Sequence, residues 1–112
     1  MTLAELKKIL DATGFPVAYS HFTATETKPV PSPPYICYLT PYTSNFKADN
    51  RVYKRFDNVQ IELYTTKKDL AAEAKLEALL DENECTYDPI ETFIESEKLF
   101  QRIYEIKMMR EG

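Results

Sequence analysis

A long strand pattern that leads directly into a helix pattern is the feature that most constrains this fold. In residues 51–66, RVYKRFDNVQIELYTT, apolar and polar side chains alternate, as they do in a strand with one buried face. Val59 begins one apolar series, whereas Phe56 has the opposite parity. The slip at Asp57-Asn58 predicts a β-bulge in one long bent strand. A tight hairpin at these two residues is the alternative, although it lacks the glycine that such turns favour.

An amphipathic helix is predicted immediately after this strand, over residues 68–84, KDLAAEAKLEALLDENE. Thr66 and Asp69 have the spacing of a capping box. The predicted buried side contains Leu70, Ala74, Leu76, Leu79 and Leu80, and the predicted solvent side contains Glu73, Lys75, Glu77, Asp81 and Glu82. Acidic residues at a helix carboxyl end are unfavourable for the helix dipole. These acidic residues either lower the stability of the helix by an amount that the fold tolerates, or form a surface that contacts a partner.

The first half of the chain predicts one helix and two strands. A capping box at Thr2–Glu5 starts a helix that Gly14 ends, and a short strand follows over Val17–Phe22. The proline-rich residues 23–34 predict an extended surface loop. Tyr35–Thr40 is apolar on both faces, which predicts a central strand. We expect Pro41 to close this strand and residues 42–50 to form a long loop before the strand at 51–65 returns antiparallel beside it.

The last third alternates again and predicts a closing β-hairpin that reverses at Ser96-Glu97. The predicted order is therefore α-β-β-β-α-β-β. We expect an α+β fold with a mixed, mostly antiparallel sheet and two helices packed on one face. A length of 112 residues is that of a single domain, here 1–112, with a core of its own.

Charge and cysteine content limit the class of protein. The net charge is −4, and there is no basic stripe to neutralise phosphates, so no nucleic-acid sequence recognition is expected. No apolar run approaches the length of a membrane span, and the amino terminus lacks a signal-peptide core. Two cysteines are too few for a disulfide scaffold, and Cys37 is predicted to be a buried thiol. A reducing, cytosol-like compartment fits best.

Few residues in the sequence are suitable for catalysis. His21 is the single histidine, and no nucleophile motif accompanies it. His21 and the two cysteines include no close-spaced pair of metal ligands. Glu91, Glu95 and Glu97 share one side of a predicted hairpin, which is typical of a solvated face. We therefore expect no enzyme activity, no cofactor and no metal.

The aromatic residues indicate an interface instead. Tyrosine is suited to interfaces because it has an apolar body and a polar tip, although strand propensity alone also favours it. A long loop that projects from a rigid hairpin is usually functional or disordered. The candidate interface residues are Tyr42, Phe46, Lys47, Asp49, Arg51, Tyr53 and Arg55, with Asp81, Glu82 and Glu84 as an acidic cluster of opposite sign.

The chain as a whole resembles a family of small proteins encoded in the tail-assembly modules of long-tailed phages and prophages of Gram-positive bacteria. The segments that carry the resemblance are FPVAYSHF, PPYICYL, NFKADNRVYKRFDNVQIELYT, KDLAAEAKLEALLDENE and FIESEKLFQRIYEI. They follow one another in order over most of the chain. None of them is a catalytic signature, so the resemblance rests on the order and length of the segments.

The resemblance implies a tail terminator, also called a tail completion protein, or a neighbouring head–tail joining protein. Such proteins form a ring, here expected to be a hexamer, that caps the tail tube and offers a docking face for the head. The implied partners are copies of the same chain, the tail tube protein and the head connector or stopper proteins. The implied location is the host cytoplasm during assembly and then the head-proximal end of the tail in the virion. The alternative from the residues is a small regulatory or ligand-binding module of ferredoxin-like α/β type.

Overall fold

Two helices and five strands make up the fold. The computed structural model describes residues 1–48 and 51–110, and for 42–48, 51–55, 109 and 110 it describes the backbone alone. The elements are α1 (Leu3–Asp11), β1 (Val17–Tyr19), β2 (Tyr35–Ala48), β3 (Arg51–Thr65), α2 (Leu70–Glu82), β4 (Asp88–Ile94) and β5 (Leu99–Arg110). Their order is the predicted α-β-β-β-α-β-β.

The five strands form one mixed sheet in the order β1-β2-β3-β5-β4. β1 pairs with β2 in parallel, and the other three pairings are antiparallel. β2 and β3 form the predicted hairpin, and β4 and β5 form the closing hairpin. The edge strands are β1 and β4, and β4 contains Pro89, as an edge strand can because proline has no N–H to donate. The predicted α+β fold with a mostly antiparallel sheet is confirmed.

Both helices pack on the same face of the sheet, as predicted. Alternate residues of the three central strands meet them there, because side chains of a strand point to opposite faces in turn. In α2, Ala72, Leu76 and Leu80 recur at every fourth position and point inward. The core consists of Leu6, Leu10, Ile36, Tyr38, Val59, Ile61, Leu63, Ala72, Leu76, Leu80, Tyr104, Ile106 and Met108.

The predicted amino-terminal cap is correct for α1 and wrong for α2. The Thr2 hydroxyl accepts a hydrogen bond from the Glu5 N–H at 3.1 Å, and Gly14 has the left-handed φ of 84° that ends the helical region. In α2 the cap is Asp69, whose carboxylate accepts from the Ala72 N–H at 3.0 Å, and the capping box predicted at Thr66 is wrong. Aspartate is at least as good an N-cap residue as threonine, so the helix could begin after either Thr66 or Asp69.

The predicted faces of α2 also need correction. Leu70 is 70% exposed and Ala74 is exposed, whereas Glu73 is buried. The reason is the rotation of the helix about its axis: the side that faces the sheet is the one with Ala72, Leu76 and Leu80. Glu73 lies beside that line and is accommodated because two cations approach it.

The strands β1 and β2 differ in length from the prediction. β1 ends at Tyr19, because Ser20 adopts a left-handed φ of 67°. β2 does not close at Pro41 but continues to Ala48, so residues 42–48 are strand and the loop predicted there is wrong. Pro41 is tolerated because, among the described strands, none pairs with the outer edge of β2 at that point.

The predicted β-bulge at Asp57-Asn58 is misplaced. β3 pairs with β5 without interruption from Arg55 to Thr65. The irregularity lies in the paired strand β2. Leu39 pairs with Gln60 and Tyr42 pairs with Asn58, so β2 has two residues between these pairs where β3 has one. A second shift falls between Phe46 and Lys47, where β3 holds the extra residue. β3 is nevertheless one long strand, as predicted, and not a hairpin.

Candidate functional site

The end of the β2–β3 hairpin forms an arm. It is two-stranded only at its tip, 46–48 with 51–54, because residues 42–45 pair with the part of β3 that also pairs with β5. We use the term arm for residues 42–48 with 51–55. β1 pairs with β2 only from Ile36 to Tyr38, and β5 reaches no further along β3 than Arg55. The described part of the chain has a radius of gyration of 15.5 Å, compared with about 13 Å for a compact domain of this size. Its principal extents are 50 × 31 × 26 Å, so the described part of the chain is elongated.

Most of the predicted interface residues fall on the arm. Its backbone contains Tyr42, Phe46, Lys47, Arg51, Tyr53 and Arg55, while Asp49 lies outside the described residues. The acidic cluster is elsewhere: Asp81 and Glu82 are exposed at the end of α2, and Glu84 follows with a left-handed φ of 56°. The structure therefore places the candidate residues in two separate regions, one basic and one acidic.

The face of the sheet opposite the helices is covered by no helix in the described part of the chain. We call this surface the open face. A hydrogen-bonded polar group lies at its centre: the Gln101 Nε2 donates to Glu62 Oε2 at 3.1 Å and to the Tyr64 hydroxyl at 2.9 Å. The Tyr64 hydroxyl in turn donates to Glu62 Oε1 at 3.2 Å. Burial raises the pKa of the Tyr64 hydroxyl and of the Glu62 carboxyl.

The proline-rich segment 23–34 and the residues before it partly cover one end of the open face. The Phe22 ring meets the Tyr35 ring edge-on at 5.3 Å, and Tyr35 stacks on Tyr64 at 5.0 Å. A cavity of about 210 Å³ remains between these rings and Cys37. Cys37 is buried, as predicted, and burial raises the pKa of its thiol to about 11, so the thiolate that reacts with oxidants is scarce.

An ionic network on the helix side of the sheet was missed by the sequence analysis. The Lys68 ammonium lies 2.8 Å from carboxylate oxygens of both Glu73 and Glu91. The Arg102 guanidinium lies 3.4 Å from Glu73 and 3.7 Å from Glu91. Because these residues come from α2, β4, β5 and the turn before α2, the network holds the edge strand and the helix on the sheet.

The same network extends to the buried Tyr104. The Arg102 Nε donates to the Tyr104 hydroxyl at 2.9 Å, and this hydroxyl donates to Glu77 Oε2 at 2.7 Å. The sequence did contain one signal, since Arg102 interrupts the apolar series that includes Tyr104. A cation on a core-facing position requires a carboxylate partner. Glu91 is exposed, as expected of a solvated face, and it also pairs with Lys68 and Arg102.

The remaining sequence candidates show no further grouping. His21 is exposed, and its Nδ1 lies 3.0 Å from the Ser20 hydroxyl. Residues 1–48 and 51–110 contain no group of three or more His, Cys, Asp or Glu side chains arranged to hold a metal ion. Within the same residues, neither helix has the length and apolar character needed to cross a membrane.

Glu62→Gln is expected to gain stability relative to the wild type as the pH rises from about 4 to about 7. Burial holds the Glu62 pKa above its ordinary value of 4.5, so the folded protein binds this proton more tightly than the unfolded chain does. That contribution to stability is present at low pH and is lost as the pH rises through the folded pKa. Urea unfolding of both proteins at the two pH values measures the effect.

Glu105→Gln is the matched control, because Glu105 lies on the same face of the neighbouring strand but is exposed. An equal pH-dependent gain in the control would show that burial of Glu62 is not the cause.

A scan against protein-family models found no match, and a search of curated proteins also found none.

Proposed function

We propose that this protein is a structural subunit of phage tail assembly, which forms a ring, expected to be a hexamer, that caps the tail tube and joins it to the head. It acts by contact with copies of itself, with the tail tube protein and with head connector proteins, and not by turnover of a substrate. The observation that carries the proposal is the arm. In the described part of the chain its β2 edge has no partner strand, and its β3 edge has none from Arg51 to Lys54.

The arm supports an assembly role because of its energetics. An isolated two-stranded ribbon is only marginally stable in water, since it has little apolar surface to bury. A chain that keeps such a ribbon at the end of a well-packed sheet gains stability when another surface covers it. The order and length of the segments that resemble tail-completion proteins support the same function.

The open face supports the proposal in a second way. Its central polar group satisfies its own hydrogen bonds, so this surface can be covered by a partner without leaving unpaired donors. Apolar side chains on the same side of the sheet include Ile90, which is 56% exposed. A surface of this mixed character is typical of interfaces between proteins.

The double variant Arg51→Glu with Arg55→Glu is expected to reduce the fraction of capped tail tubes at least tenfold. Both residues lie on the arm, and reversal of two charges at an interface opposes contact with an acidic partner surface. Electron microscopy of tubes mixed with the protein counts the capped ends. Lys8→Glu with Lys67→Glu is the matched control, because it makes the same charge change at exposed positions outside the arm. Unchanged capping in the arm variant would remove these arginines from the contact.

A further inference from the structure

The arm and the edge strand β4 are two surfaces of one chain that complement each other. β1 pairs with β2 from Ile36 to Tyr38, and the Thr40 N–H donates to the Tyr19 hydroxyl at 3.2 Å. Beyond Thr40 the outer edge of β2 has no partner strand in the described part of the chain. β4 is the last strand at the opposite side of the sheet, and its outer edge has no partner among the described residues. Strand edges of this kind are templates for pairing with another chain.

Charge favours contact between these two edges. The arm sequence contains four basic residues and no acidic residue. Residues 88–98, which are β4 and the turn after it, contain one basic residue, Lys98, and four acidic residues. Of these, Asp88, Glu95 and Glu97 are exposed and form no ion pair within the described residues, whereas Glu91 is already paired with Lys68 and Arg102.

Apolar surface and length favour the same contact. β4 exposes 56% of Ile90 and 45% of Phe93, which lie on opposite faces of the strand, so a strand laid beside it would cover apolar side chains on both sides. Pro89 cannot donate a hydrogen bond, which confines pairing to the five residues from Ile90 to Ile94. The arm part of β2 has seven residues, which is long enough to match them.

Resting on the proposed function, we infer that the arm of one subunit adds as a strand to the free edge of β4 in the next subunit, within a ring of identical chains. The two surfaces differ from each other, so the contact is head-to-tail, the type that closes rings by rotation. Main-chain hydrogen bonds along the edge provide affinity, and the charge difference between arm and edge selects the pairing. The occupant of the β4 edge is therefore a second copy of this chain.

Cross-linking between two differently substituted chains tests this contact. One chain carries Thr92→Cys, an exposed position in the middle of β4, and the other carries Ser44→Cys or Asn45→Cys in the arm. Because successive residues of a strand point to opposite faces, one of the two arm positions lies on the Thr92 side. All chains also carry Cys85→Ser, and Cys37 is protected by burial. A bismaleimide that spans about 8 Å reaches opposite and diagonal cross-strand neighbours.

The control replaces Thr92→Cys by Ala78→Cys, an exposed position on α2. An affinity tag on one chain identifies mixed dimers on a denaturing gel, and light scattering confirms that tube-bound or free rings are present. We expect at least ten times more mixed dimer from Thr92→Cys with one arm position than from Ala78→Cys. If rings form but the two yields of mixed dimer are equal, the proposed strand pairing is wrong, whereas the proposed assembly function still stands. Failure to form any oligomer, with or without tail tubes, would overturn both.

Discussion

Replacing Leu76 by alanine is expected to lower the free energy of unfolding by about 2–5 kcal/mol, the range for a large-to-small change in a closed core. Leu76 is completely buried and lies on the line of α2 residues that faces the sheet. The change removes buried apolar surface and leaves a cavity between helix and strands. For a domain whose total stability is about 5–15 kcal/mol, this is a large fraction. Urea unfolding followed by far-UV circular dichroism measures it.

Leu70→Ala is the matched control for this change. It alters the same residue type in the same helix at a position that is 70% exposed. We expect a change within about 0.5 kcal/mol, as for other surface substitutions. Equal losses at the two positions would contradict the assignment of the inward side of α2, which was the part of this helix that the sequence pattern predicted incorrectly.

The variant Arg102→Met is expected to lose about 2–3 kcal/mol of stability. Its guanidinium, with 21% of the side chain exposed, lies among the carboxylates of Glu73, Glu77 and Glu91. Removing one partner of a buried ion pair typically costs about 3–5 kcal/mol. We expect less here, because Arg102 is partly exposed and Lys68 still neutralises Glu73 and Glu91. Lys107→Met, an exposed position on the same strand, is expected to change stability by no more than about 0.5 kcal/mol.

A double-mutant cycle assigns this loss to the network. Glu73→Gln removes the most buried of the three charges, and in its background Arg102→Met leaves fewer unpaired carboxylates. The double variant is therefore expected to be more stable than the sum of the two single losses predicts. Strictly additive losses would mean that Arg102 and Glu73 are not coupled through their charges.

The sequence predicted the fold well because its local signals agree with one another. The alternation in β3, the capping residue Thr2 and the left-handed Gly14 each depend on a few neighbouring residues. These signals gave the number, type and order of the elements and the hairpin pairing. The same kind of information also led to Cys37 as a buried thiol, because its segment is apolar on both sides.

The errors arose where the outcome depends on distant partners. Pro41 and the polar residues after it resemble a loop locally, but pairing with β3 holds them as strand. Glu73 looks solvent-facing in the helix pattern, yet Lys68 and Arg102 reach it from other elements. Ion-pair geometry of this kind has no short-range signature. Of the candidate interface region, residues 42–48 were predicted as a loop but are strand, whereas the strand predicted from residue 51 is confirmed.

The two register shifts in the β2–β3 ladder have a consequence for how this chain can vary. A bulge bends its strand and increases the local twist. β2 has one extra residue near Thr40 and Pro41, and β3 has one extra residue near the tip. The direction in which the tip of the hairpin points therefore depends on these two extra residues. Deleting one of them would re-aim the tip while Leu63, Tyr104 and the helices kept their contacts. Insertion or deletion of a single residue would therefore change the direction of the tip without a change in the core.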